Sequence, residues 1–187
     1  MSTLFICIEG VDCVGKTEVA KSLADRLKAF YYKTPGGLSE DERMAVYNLT
    51  DPCQRYTAYR AAAARDSQAI TNILMTSSVV CDRYIYSTFA MHAAMDDTLA
   101  SRFEVGGLLI PDHVFLLTAD EEVRKRRLFA RPHHLQLEDN IPLQNKADGL
   151  FKEQGHTIVD TSTTTVDEVV EILLRYLGQA HLNPGDV

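Results

Sequence analysis

The sequence predicts an α/β fold in which a five-stranded parallel sheet carries helices on both faces. Three observations predict it. Five short apolar segments rich in β-branched and aromatic residues recur along the 187 residues. Segments with apolar residues at helical spacing lie between them, and the first apolar segment runs directly into a glycine-bounded loop that opens a helix. Strands that alternate with helices, each a near-continuous apolar run, belong to a parallel sheet buried on both faces.

Each element has its own justification. "LFICIE" (4–9) is a buried strand closed by a glycine turn. Over 16–28, Val19, Ala20, Leu23, Ala24 and Leu27 form an apolar stripe, with Glu18, Lys21, Asp25 and Arg26 on the opposite face. "AFYYKT" (29–34) is the second strand, ended by Pro35-Gly36-Gly37. Ser39 and Glu42 predict a capping box for a helix over about 40–50, and Pro52 opens an alanine-rich helix to about 75. "SSVVCD" (77–82) is strand three, followed by helical segments over 83–95 and near 98–105. Pro111 precedes strand four, "HVFLLT" (113–118), and a charged helix over 120–131 stops at Pro132. "HTIVDT" (156–161) is strand five. Thr165 with Glu168 then caps a last helix whose stripe is Val166, Val169, Val170, Leu173, Leu174 and Leu177. No linker divides the chain, so 1–178 reads as one domain and 179–187 as a frayed C-terminal tail.

Composition excludes several classes. A formal net charge of −7 argues against non-specific nucleic-acid binding, which needs a positive footprint. No apolar run approaches the ~18 residues of a membrane span, and the N-terminus lacks a signal core, so the expectation is a cytoplasmic protein without membrane contact. The four cysteines (Cys7, Cys13, Cys53, Cys81) have no metal-binding spacing and read as reduced thiols. An acidic chain that binds phosphates must concentrate its cations locally.

"GVDCVGKT" (10–17) supplies the first such place. Gly10 and Gly15-Lys16-Thr17 have the spacing of the phosphate-binding loop. The backbone N–H groups of Asp12, Cys13, Val14 and Gly15 face phosphate oxygens, and the helix N-terminus adds its positive dipole end. Lys16 reaches the β- and γ-phosphates, and Thr17 offers its hydroxyl to Mg²⁺. Asp12 is the odd member. A carboxylate beside polyphosphate needs a sugar hydroxyl or an arginine as partner, unless it only bonds its own turn.

The loop alone leaves the chemistry open. "NKAD" (145–148) matches a guanine-reading motif, but "LEDNIPLQ" before it lacks the apolar run that motif requires, so it reads as a coincidence on a helix surface. "VVCDRYIYS" (79–87) favours a kinase. Asp82 at the end of strand three stands at the ligand-binding edge of the sheet, able to organise Mg²⁺ or orient the attacking group. Arg83 can clamp an acceptor phosphate. "EEVRKRRLFARPHH" (121–134) holds the densest run of cations in the chain: Arg124, Lys125, Arg126, Arg127 and Arg131, with Arg127 and Arg131 sharing a helix face. Such cations suit a transferring phosphoryl group. Paired with Glu121 and Glu122, they equally suit a solvated face.

These segments, over about 3–175 and in this order, resemble the thymidylate kinase family of P-loop nucleoside monophosphate kinases. "IEGVDCVGKT", "YYKTPGG", "CDRYIYSTFAMH", "PDHVFLL" with the arginine cluster, and "IVDTS" carry the resemblance. It implies a P-loop kinase fold with an Arg-rich lid at about 120–139, ATP and Mg²⁺, a nucleotide or nucleoside acceptor, and a homodimer. Carried over, Lys16 and Thr17 serve the ATP phosphates and Mg²⁺, Arg83 holds the acceptor phosphate, and Arg127 and Arg131 stabilise the transferring group or cover adenine. Cys13 replaces a catalytic arginine of some members, which shifts that burden to the lid. Asp12, Thr34, Arg65 and His92 fall at acceptor-binding positions. Aligned on Arg65, Ala61 stands where the family commonly has phenylalanine; Tyr59 reaches that place only if the register differs. Met91 and His92 replace a tyrosine and a glutamine, and Lys33 and Thr34 replace Arg-Glu. The acceptor base stays open. A nucleoside kinase and a P-loop switch protein are the alternatives; related nucleoside kinases usually carry Glu-Arg where this chain has Asp82-Arg83.

Overall fold

A computed structural model describes residues 2–102, 104–130 and 140–180. Five parallel strands, β1 (Phe5–Glu9), β2 (Phe30–Lys33), β3 (Val79–Asp82), β4 (His113–Thr118) and β5 (Thr157–Asp160), lie in the order β2-β3-β1-β4-β5. The helices are α1 (Lys16–Leu27), α2 (Glu40–Tyr47), α3 (Pro52–Leu74), α4 (Ile85–Met95), α5 (Glu121–Phe129), α6 (Ile141–Lys152) and α7 (Val166–Ala180), with a 3-10 turn at Asp97–Arg102. From β1 the chain crosses to the sheet edge as β2, fills the gap between them as β3, then places β4 and β5 on the other side of β1. The switch in direction opens a crevice at the carboxyl end of β1, where a doubly wound sheet binds its ligand.

The strands explain their neighbours. β1 is buried throughout: Ile6 and Ile8 point to the face where Val19, Leu23, Leu173 and Leu177 of α1 and α7 pack. Phe5 and Cys7 point to the opposite face, towards Ile70 of α3 and Tyr84. The edge strands are only half covered, with Phe30 and Ile158 about half exposed, so near-continuous burial holds for the central strands alone. Both expected capping boxes form, Ser39 with Glu42 and Thr165 with Glu168.

One helix is foreseen from the sequence only as the surface that carries "NKAD", without bounds. α6 is announced by Asn140, whose side chain accepts from Leu143 N at 3.1 Å, and by proline in the first turn. Ala147 and Phe151 form its buried stripe, too sparse to stand out beside the polar stretch before it. "NKAD" lies on this helix and not at a strand end. The predicted lid falls partly, and residues 181–187 of the tail wholly, outside the described residues. Among the described residues no helix is long and apolar enough to cross a membrane, and all four cysteines are free, with Cys53 only partly buried.

Candidate active site

The phosphate loop leaves β1 and enters α1 through two positions that require glycine. Gly10 has φ +137°, and a Cβ there would lie 2.3 Å from the Leu117 carbonyl oxygen. Gly15, at φ +93°, has open space around it, so only its backbone conformation demands glycine. Gly15 caps α1 with no side-chain hydrogen bond, leaving first-turn N–H groups for an anion. Lys16 folds over the loop and donates to the Val11 carbonyl. Burial, with Arg83 nearby, lowers its pKa to about 8. A 360 Å³ hollow here is lined by Asp12, Lys16, Thr17, Lys33 and Arg83 among others.

Asp82 stands beside the loop, because β3 pairs with β1 in the register Ile8↔Asp82. Its Oδ2 accepts from Thr17 Oγ1 at 2.6 Å and Tyr31 OH at 3.1 Å, and Lys33 Nζ lies 3.8 Å away. Its Oδ1 is buried with no protein partner. An orphaned carboxylate oxygen next to a threonine hydroxyl is a hard-oxygen donor pair suited to Mg²⁺. Among the described residues no group of three or more metal-ligating His, Cys, Asp or Glu side chains exists.

Arg83 follows at φ +69°, an unusual conformation for a non-glycine residue. Its guanidinium donates to Gly10 O and Ser87 Oγ, each at 3.2 Å, and forms an ion pair with Asp12. Of the partners the sequence leaves open for Asp12, the structure supplies an arginine, Arg83. Gln144 of α6 also grips Asp12, donating to its carboxylate at 2.9 Å and accepting from its N–H at 3.0 Å. Behind Arg83 lies Glu9, fully buried at the end of β1. Glu9 Oε1 accepts from Tyr84 N at 2.8 Å and Ser87 N at 3.2 Å, and Oε2 accepts from the Ser87 hydroxyl. Desolvation outweighs these bonds and pushes its carboxyl up to about 7.

A second cavity of 320 Å³ opens on the α3–α4 side and shares Asp12, Lys33 and Arg83 with the phosphate hollow. Thr34, Tyr59 and His92 line its far part. His92 is buried; its Nδ1 contacts the Thr88 carbonyl at 2.6 Å, and its Nε2 has no protein partner. Burial lowers its pKa to about 4, so the ring is neutral. A neutral ring bonded to a carbonyl through Nδ1 carries its proton there, which leaves Nε2 as an acceptor. Tyr59 tilts against this ring at 5.6 Å between centroids.

The structure does not bring Ala61 and Arg65 of α3 to this cavity. Ala61 is exposed and Arg65 is ion-paired with Glu42 at 3.1 Å on the surface; neither lines this cavity. Helical phase is the reason. The inward face of α3 runs through Ala62 and Asp66, one residue on, while Arg55 and Tyr59 are the residues that reach the cavity. Tyr59 lines this cavity and Ala61 does not. Asp66 has a separate duty: it accepts from Tyr32 OH at 2.8 Å and Gly37 N at 2.7 Å, tying down the Pro35-Gly36-Gly37 loop.

A third cavity, 360 Å³, lies on the other side of the loop against Thr161, Val166 and Val169. Arg127 lines it, donating to Cys13 O at 3.2 Å and Thr161 O at 2.6 Å. It does not line the phosphate hollow. The other cluster members disperse: Arg124 is buried and bonded to Asn145, and Lys125 pairs with Glu121 at 2.7 Å. Arg131 lies outside the described residues. Sequence reasoning missed Glu9, Arg55 and Gln144, and named Lys33 and Tyr59 without giving them a role. A carboxylate ending a fully buried strand was the available signal for Glu9; nothing in the sequence marked Gln144.

Comparisons with known proteins point to one family. A family model described as thymidylate kinase matches residues 8–172. The "Probable thymidylate kinase" of Methanocaldococcus jannaschii is 30% identical over 183 residues, covering 95% of this chain and 97% of the relative. The thymidylate kinase of Staphylococcus epidermidis is 27% identical over 204 residues, covering 95% and 100% respectively. The solved structure of thymidylate kinase from Candida albicans shares the fold at a TM-score of 0.79 and 22% identity, covering 96% of this chain and 93% of that one.

Proposed function

The chain belongs to the thymidylate kinase family, and from that premise we propose dTMP as the acceptor of the γ-phosphoryl group it transfers from ATP. That it is an ATP-dependent kinase of a nucleoside monophosphate follows from the family. The observation that carries the rest is the meeting of two cavities at Asp12, Lys33 and Arg83. A phosphoryl group passing between donor and acceptor must cross such a junction.

Little covalent work falls to the protein. An acceptor phosphate oxygen attacks the γ-phosphorus, the bond to the β–γ bridging oxygen breaks, and ADP leaves. The loop amides and Lys16 hold the donor phosphates, Arg83 holds the acceptor phosphate, and Lys33 faces the oxygens on which charge is spread. Thr17 and Asp82 would hold Mg²⁺, which when bound neutralises phosphate charge. Arg127 sits against the loop backbone beside the third cavity, a position suited to the donor base. In the acceptor cavity, His92 Nε2 accepts a hydrogen bond from the imino N–H of thymine, with the Tyr59 ring alongside. The same reading supports a cytoplasmic homodimer, checked by sedimentation.

The test is ADP release from ATP-Mg²⁺ with a panel of nucleosides and monophosphates. dTMP should give the highest kcat/KM and nucleosides none, and Lys16→Ala should abolish turnover with its circular dichroism unchanged. Faster turnover with dCMP than with dTMP would refute the base assignment.

A further inference from the structure

We propose that Glu9 is a positioning residue, the group that holds Arg83 in the conformation in which it meets the acceptor phosphate. This inference rests on the role given to Arg83 above.

The N-terminus of α4 does not cap itself. Tyr84 precedes α4 and makes no side-chain cap hydrogen bond, although the first N–H groups of a helix need partners. In a capping box two local side chains serve the cap N–H and the N–H three residues on. Here Glu9 serves both of these positions, Tyr84 N and Ser87 N, with one carboxylate oxygen. Its other oxygen accepts a hydrogen bond from the Ser87 hydroxyl. The partners are 75 and 78 residues away in sequence, so no local motif reveals the arrangement.

Arg83 lies between two anchors on β1. Its own N–H donates to Ile8 O at 3.0 Å, and the next N–H goes to Glu9. Together these bonds impose the left-handed backbone at Arg83, a conformation that a side chain adopts only when its surroundings over-determine it. The turn directs the guanidinium back across Gly10 O towards Asp12. Ser87 completes the link, donating to Glu9 and accepting from Arg83 Nη1 at 3.2 Å. The carboxylate thus fixes both the backbone and the side chain of Arg83. It does so from the face of β1 away from α1, without lining any of the three cavities.

The experiment measures KM for dTMP and for ATP separately in Arg83→Ala, Glu9→Gln and Ser87→Ala. Arg83→Ala should raise the dTMP KM steeply; if it does not, the acceptor role of Arg83 falls, whatever Glu9 does. Given that result, Glu9→Gln should raise the dTMP KM about tenfold, the worth of a charged hydrogen bond, and leave the ATP KM within about twofold. Ser87→Ala, which keeps the backbone capping, should give a smaller rise of the same kind and serves if the Glu9 variant does not fold. Equal increases in both KM values, or no increase in either, would overturn the inference while leaving the kinase assignment intact.

Discussion

Glu9→Gln also makes a prediction of opposite sign for stability. The Glu9 carboxyl ionises at about 7 in the folded protein, against 4.5 for the free side chain. Desolvation at the end of β1 is the main cause, only partly offset by the Ser87 and Tyr84 bonds and the charge of Arg83. Cys7 on the same strand, Cys81 on β3, Lys16 on α1 and Tyr86 on α4 also lie within electrostatic reach. A folded-state pKa above the unfolded one means that the native protein binds the extra proton. Its stabilising contribution is complete below pH 4.5 and is lost as the pH rises through about 7. At about 1.4 kcal/mol per pH unit, that interval corresponds to about 3 kcal/mol. Glutamine has no such dependence. Urea unfolding of both proteins at a series of pH values from 5 to 8 should show the variant gaining about 2–3 kcal/mol relative to the parent, or roughly 5–10 °C in Tm. A difference that stays flat across this range, or one in which the parent gains as the pH rises, would refute the claim that this carboxylate is held at a desolvation cost.

Two further outcomes test the flanks of the site. Arg127→Ala should raise the ATP KM several-fold and lower kcat less, because its guanidinium braces Cys13 O and Thr161 on the side away from the phosphate hollow; steady-state kinetics with ATP varied decides, and a loss confined to kcat would return Arg127 to the transferring group. Nitrogen-15 NMR should show His92 neutral and protonated on Nδ1 at pH 6, since burial lowers its pKa to about 4. A depressed folded-state pKa stabilises the native protein above pH 6.5 and is lost as the pH falls towards 4, so a His92→Gln variant should resist acid better; an imidazolium signal at pH 6 would contradict this.

Local pattern made the strands, the phosphate loop and both capping boxes legible, because each depends on residues within a few positions of one another. Asp82 was legible for a similar reason: a polar residue ending a buried strand beside a phosphate loop has few other places to be. What failed depended on phase or on distance along the chain. Ala61 and Tyr59 are two residues apart, about 200° around a helix, so only Tyr59 of the two reaches the cavity, and no local pattern sets that phase. Gln144 reaches Asp12 across 132 residues and sits on a helix with a sparse stripe. The arginine cluster read as one unit, yet its described members point to Asn145, to Glu121 and to the phosphate loop, as the helical repeat dictates.

The arrangement around the loop explains how a chain of net charge −7 handles polyphosphate. Lys16, Lys33 and Arg83 converge on one hollow, and Asp12 and Asp82 face them. Without the carboxylates, three neighbouring cations would repel one another and the flexible side chains would spread into solvent. With them, the cations are held in place before any ligand arrives, which is the condition under which charge stabilises a transition state without reorganisation. The pairing is exchangeable. An acceptor phosphate presents to Arg83 the same oxygen geometry that Asp12 presents, and Gln144 can keep Asp12 in place when Arg83 turns to the phosphate. Glu9 differs from these two carboxylates. It bonds backbone and hydroxyl groups that no substrate displaces, so its ionisation is a standing cost to the fold, retained because it fixes where Arg83 points.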